Sequence, residues 1–111
     1  MCRALTILCA AMDRTRLGEL KRASVAVEWE LSGGATSLDE LAAQVADLRP
    51  DVVVVDGALG PDAVSRAREA KPGVRVVSVG PLPEADEEAA SLEEVRAAIL
   101  GLPRPGGPVR G

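Results

Sequence analysis

Apolar and polar positions alternate in blocks along the chain, and the period changes from block to block. Ala4–Ala10 is a short apolar run of the kind that forms a strand buried on both faces. Asp13 is a candidate N-cap for a helix over Arg14–Ala23, with Leu17 and Leu20 inward and Arg14, Arg16, Glu19, Lys21 and Arg22 outward. Gly18 weakens that helix. Val25, Val27, Trp29 and Leu31 then alternate with Ala26, Glu28 and Glu30, a period of two that predicts a strand with one wet face. Ser32-Gly33-Gly34 reads as a break.

The pattern then repeats. Ser37-Leu38-Asp39-Glu40 is a capping box, and the helix it opens carries Leu38, Leu41, Ala42, Val45 and Leu48 on one stripe until Pro50. Asp51-Val52-Val53-Val54-Val55-Asp56 predicts a central parallel strand covered on both sides. A loop at Gly57–Gly60 leads to a helix opened by Pro61 and Asp62 that runs to about Lys71 and stops at Pro72-Gly73. Val74–Val79 is a further strand, followed by the proline-rich, acidic stretch Pro81–Ala90. Ser91-Leu92-Glu93-Glu94 is a second capping box, for a last helix with Leu92, Val95, Ile99 and Leu102 inward.

The order β-α-β-α-β-α-β-α predicts an open parallel α/β sheet with right-handed crossovers and helices on both faces. A single amphipathic strand, Val25–Leu31, belongs at an edge, and a flavodoxin-like order 2-1-3-4-5 puts the second strand there. Residues 1–102 are expected to form the domain, and Pro103–Gly111 a flexible Pro/Gly-rich tail. The space between the fourth strand and the last helix is too short for a full fourth helix, a fifth strand and their loops. That region is expected to be truncated, and whether a fifth strand survives there is open.

Composition narrows the function classes. The 111 residues carry a net charge of −4 and one aromatic side chain, Trp29, so neither a basic groove nor stacking rings for nucleic acid are present. There is no His, which removes the commonest metal ligand and general base. Cys2 and Cys9 are too few for a disulfide framework, and Cys9 reads as a buried thiol. The apolar start is too short for a signal sequence or a membrane span, so a cytoplasmic location without membrane contact is expected. No nucleophile–base pair, metal cluster or cofactor loop is visible, so neither an enzyme nor a cofactor is expected.

Two local matches make the chain resemble a receiver domain of bacterial two-component signalling. Arg49-Pro50-Asp51-Val52-Val53-Val54-Val55-Asp56 is similar to the family's third strand, which ends in the phosphoacceptor Asp. Lys71-Pro72-Gly73-Val74-Arg75-Val76-Val77 is similar to the entry to strand four. Cobalamin-binding α/β domains share the Pro-Asp-Val-Val-Val pattern, but the His that ligates the cobalt is absent. The resemblance implies an acidic pair after strand one holding Mg²⁺ with the acceptor, a hydroxyl ending strand four and a Lys ending strand five. Here the acidic pair is matched by Ala11 and Met12, with Asp13 beside them, and the hydroxyl position by Gly80, with Ser78 two residues earlier. Lys does not occur after Lys71.

These departures point to a degenerate receiver, a non-catalytic regulatory module acting through protein contacts. Asp56, Asp13 and Ser78 are then relics of a phosphorylation site. One alternative keeps them as an atypical phospho-switch. Another makes the crevice of Ala10–Asp13, Asp56–Gly60 and Gly80–Leu82 a small-ligand sensor. A protein partner or a second copy is expected at one of two surfaces. The first is the acidic region of Glu84, Asp86, Glu87 and Glu88; the second is the edge strand bearing Trp29.

Overall fold

The structure of the chain, a computed structural model, describes residues 5–25 and 29–101. Its elements run β1 (Leu5–Ala10), α1 (Arg14–Ala23), β2 (Trp29–Ala35), α2 (Leu38–Leu48), β3 (Val52–Asp56), α3 (Pro61–Ala70), β4 (Arg75–Val79), β5 (Glu87–Ala89) and α4 (Val95–Leu100). Short 3-10 turns lie at Gly57–Leu59 and Leu92–Glu94. The strands form one parallel sheet in the order β2-β1-β3-β4-β5, the flavodoxin-like arrangement that the alternation predicted. The expected strand residues Ala4 and Val27, the thiol of Cys2, Leu102 and the tail lie outside the described residues.

Because successive side chains of a strand point to opposite faces, the sheet divides the core in two. Ile7, Cys9, Val52, Val54, Val77 and Val79 pack on one face under Leu20 of α1 and Val95, Ala98 and Ile99 of α4. Leu8, Ala10, Val53, Val55 and Val76 pack on the other under Leu41 and Val45 of α2 and Ala63, Val64 and Ala67 of α3. The four-Val run of β3 thus contributes to both cores. Each fully buried valine stabilises the fold by about 1.5–3 kcal/mol.

The second strand differs from its sequence expectation. Among the described residues Val25 is not in the strand, β2 covers Trp29–Ala35, and it runs through Ser32-Gly33-Gly34 instead of ending there. Val25 is exposed, and the ladder with β1 shifts register between Ile7 and Cys9. The glycines lie where side chains of both neighbouring helices pack closely. A Cβ at Gly33 would sit 2.7 Å from Gln44 Oε1 and 3.1 Å from Leu48 of α2. One at Gly34 would sit 2.9 Å from Leu17 and 2.7 Å from Lys21 of α1. Two helices close over the edge strand from opposite faces, and a larger residue there would have to push their side-chain ends aside.

The region after β4 is truncated as expected, and it does hold a fifth strand. Parallel neighbours ordinarily need a crossover of a dozen or more residues, usually with a helix. Residues 80–86 cross back with none. Leu82 is buried in the α2/α3 core in place of a helix face, with Ala85 against it. Asp86 extends the ladder: its N–H donates to Val76 O over 2.9 Å, and its Oδ2 accepts the Val76 N–H over 2.8 Å. Glu88 Oε2 accepts the Leu82 N–H over 3.0 Å.

The helix ends follow their capping signals unevenly. Ser37 Oγ accepts the Glu40 N–H over 3.1 Å, while Glu40 reaches back to Thr36 rather than to Ser37. That double hydrogen bond to Thr36 holds the Glu40 carboxyl below its usual range. Ser91 makes no side-chain cap, and the segment starts as a 3-10 turn before α4. Leu48, expected inward, is 40% exposed at the end of α2, where Arg49 turns into the left-handed conformation.

Candidate functional site

Open parallel sheets bind ligands beyond the carboxyl ends of their strands, at the point where strand order reverses. Here that point lies between β1 and β3, and Asp56 ends β3 beside it. Asp56 pairs in register with Val79, and its side chain is 15% exposed. Its Oδ1 accepts the Ala58 N–H over 3.2 Å and so caps the 3-10 turn that follows.

Its Oδ2 is taken by a residue that the helical pattern placed among the outward-facing charges. Arg16 Nε donates to Asp56 Oδ2 over 3.2 Å, and Arg16 Nη1 donates to Glu19 Oε1 over 3.1 Å. The hydrogen bond to Glu19 and the charge of Asp56 hold the guanidinium above its ordinary range. Position 16 lies in the first turn of α1, and that turn opens directly above the end of β3. A first-turn arginine after strand one was the only available sequence signal, and periodicity alone cannot tell a solvated arginine from one that folds back.

Asp13 and Ser78 are each engaged locally. Asp13 Oδ1 accepts the Arg16 N–H over 2.8 Å as the N-cap of α1. Ser78 is fully buried and donates to Gly80 O over 2.9 Å. It pairs with Val55, which belongs to the α2/α3 face, whereas Asp56 and Val79 belong to the opposite face. The sheet therefore separates Ser78 from Asp56, although both lie near the carboxyl ends of their strands.

These residues do not fit a divalent cation of the receiver kind. Positions 11 and 12 supply no carboxylate, Asp13 is turned to its own helix, and Arg16 occupies Asp56 Oδ2. Among the described residues no group of three or more His, Cys, Asp or Glu side chains is arranged to hold a metal ion.

Of the three segments expected to form a crevice, Ala10–Asp13, Asp56–Gly60 and Gly80–Leu82, the last two approach each other closely. A Cβ at Gly57 would lie 2.9 Å from Val79 O and 3.4 Å from Pro81 O, so the two loops touch backbone to backbone. Leu82 points into the core. A shallow, open depression remains beside it, lined by Arg16, Val79, Gly80, Ala90, Ser91 and Leu92 with Glu93.

The two expected partner surfaces differ in exposure. Trp29 is only 6% exposed, and its indole N–H donates to Ser24 O, so its ring faces the core. Of the acidic region, Asp86 pairs with Arg68 over 3.1 Å and with the β4 backbone, and Glu88 holds Leu82. All four residues, Glu84, Asp86, Glu87 and Glu88, are exposed. No helix among the described residues is long and apolar enough to cross a membrane.

No protein-family model matches the chain, and no curated protein does. Solved structures do. The response regulator domain of Thermotoga maritima CheB superposes with a TM-score of 0.68 at 17% identity, over 88% of this chain and 92% of that one. A cobalamin-binding protein from Desulfitobacterium hafniense superposes with a TM-score of 0.62 at 15% identity, over 88% of this chain and 58% of that one. At such identities the likeness is one of fold, and the chain has the receiver-like, flavodoxin-like α/β fold.

Proposed function

We propose that this chain is a degenerate receiver, a non-catalytic regulatory module that works by contact with a protein partner and is not switched by phosphorylation. The observation that carries the reading is the Arg16–Asp56 pair. A phosphoacceptor carboxylate needs a metal beside it to neutralise the incoming phosphoryl charge. Asp56 has given one oxygen to a guanidinium from its own fold and the other to a backbone N–H. The internal cation supplies permanently, at lower charge, the neutralisation that a metal would supply to Asp56. A module built this way holds one arrangement of its Asp56 loop.

Intact mass after incubation with Mg²⁺ and a small acyl phosphate tests this. The folded protein is expected to gain no phosphoryl group. A gain that disappears in Asp56→Asn would overturn the reading and restore the atypical phospho-switch.

A further inference from the structure

The β2 edge carries a device with no part in the Asp56 site. Among the described residues β2 has a neighbour strand on one side only, β1. Ala35 O accepts the Ala11 N–H, so Ala35 directs its backbone toward β1. By strand alternation Gly34 directs its own backbone away, to the open edge. There, Gly34 N–H donates to Gln44 Oε1 over 3.1 Å, and Gln44 Nε2 donates to Gly34 O over 2.7 Å. The amide of one side chain thus makes the two bonds that the backbone of another strand would make. Gly33 is what lets Gln44 come so close, since a Cβ there would collide with its Oε1.

We infer that Gln44 caps the β2 edge and keeps it from pairing with a strand from a second copy of this chain. An edge strand offers unpaired donors and acceptors to any other chain, and a glycine-rich edge specifies its register weakly. In β2 the liability centres on Ser32-Gly33-Gly34, where small residues leave the backbone uncovered by side chains. The exposed Glu30 and the register shift opposite Ile7–Cys9 guard the rest of the edge. The inference is independent of the Asp56 reading. It also places a partner contact away from β2, the second surface suggested by the alternating sequence.

The test begins with the wild-type protein. The Gly34 amide is expected to exchange with solvent deuterium far more slowly than in an unstructured peptide. Exchange at the free-peptide rate would overturn the inference without any variant. Gln44→Met keeps the length of the side chain and removes both polar groups. In sedimentation velocity over a concentration series it is expected to self-associate more tightly than wild type. The expected gain is at least about tenfold, the factor that two ordinary hydrogen bonds supply. Gly34 exchange in the variant should be fast at low concentration and slow again at high concentration. A variant with native circular dichroism that sediments as wild type at every concentration would also overturn the inference.

Discussion

Arg16 Nε lies 3.2 Å from Asp56 Oδ2, joining the first turn of α1 to the end of β3 across the point where strand order reverses. The pair spans the place where a receiver-like site would hold its cation. The guanidinium is one-third exposed, so the contact shapes the site more than it stabilises the fold. Arg16→Ala is expected to lower unfolding stability by no more than about 1 kcal/mol. Urea denaturation measures this, and a loss several times larger would show that the pair is a main support of the α1–β3 packing.

Cys9 gives a pH dependence with a definite sign. Burial pushes its thiol from 9.0 up to about 11, against weaker opposite pulls from the Ser24 hydroxyl and Lys21. The folded pKa is raised, so the unfolded chain releases the proton first. The contribution is complete below about pH 9 and is lost as pH climbs toward 11, by about 2–3 kcal/mol in all. In a Cys2→Ser background, stability should fall over that range more steeply for the Cys9 protein than for Cys9→Ala. Parallel curves would contradict the assignment.

Trp29 reports on the same corner. Its indole N–H donates to Ser24 O, while Ser24 Oγ donates to Leu20 O over 2.8 Å and faces the Cys9 thiol at 3.7 Å. Trp29→Phe leaves a buried carbonyl without its donor and is expected to cost about 1–3 kcal/mol. Trp29→Ala adds a cavity and is expected to cost about 3–5 kcal/mol. Native emission should be blue-shifted and poorly quenched by iodide. Emission resembling that of free tryptophan would place the ring outside the core.

Asp86 closes the short crossover into β5. Asp86→Ala removes the acceptor of the Val76 N–H and the partner of Arg68, and is expected to cost about 1–3 kcal/mol. Asp86→Asn keeps an acceptor for Val76 and loses only the exposed ion pair, at a cost of less than about 1 kcal/mol. Amide exchange at Val76 should quicken strongly in the first variant and little in the second.

Gly57 separates backbone packing from chemistry. Its added Cβ would meet Val79 O at 2.9 Å, and backbone cannot step aside as the end of a side chain can. Gly57→Ala is therefore expected to destabilise by about 1–3 kcal/mol, with the β4–β5 loop showing the largest exchange changes. A neutral substitution would mean that the two loops do not touch.

The chain's periodicities determined the layer order. The four-Val run could be satisfied only by a strand covered on both faces, and the two capping sequences marked where α2 and the last helical segment begin. Those signals are local, carried by neighbours in sequence, and so they are legible without coordinates. Tertiary packing decided the rest. Ser32-Gly33-Gly34 looks like a break because glycine has no preference for a strand; it becomes one where α1 and α2 press on it from both sides. Asp86 and Glu88 look like solvated charge, and they become backbone partners only because residues 80–86 must cross back without a helix. Arg16 looks like a solvent-facing position, and only the placement of α1 over β3 brings it to Asp56, 40 residues away along the chain. Periodicity reports which face of an element is buried. Which long polar side chain folds back, and onto what, depends on contacts between residues that no local pattern relates.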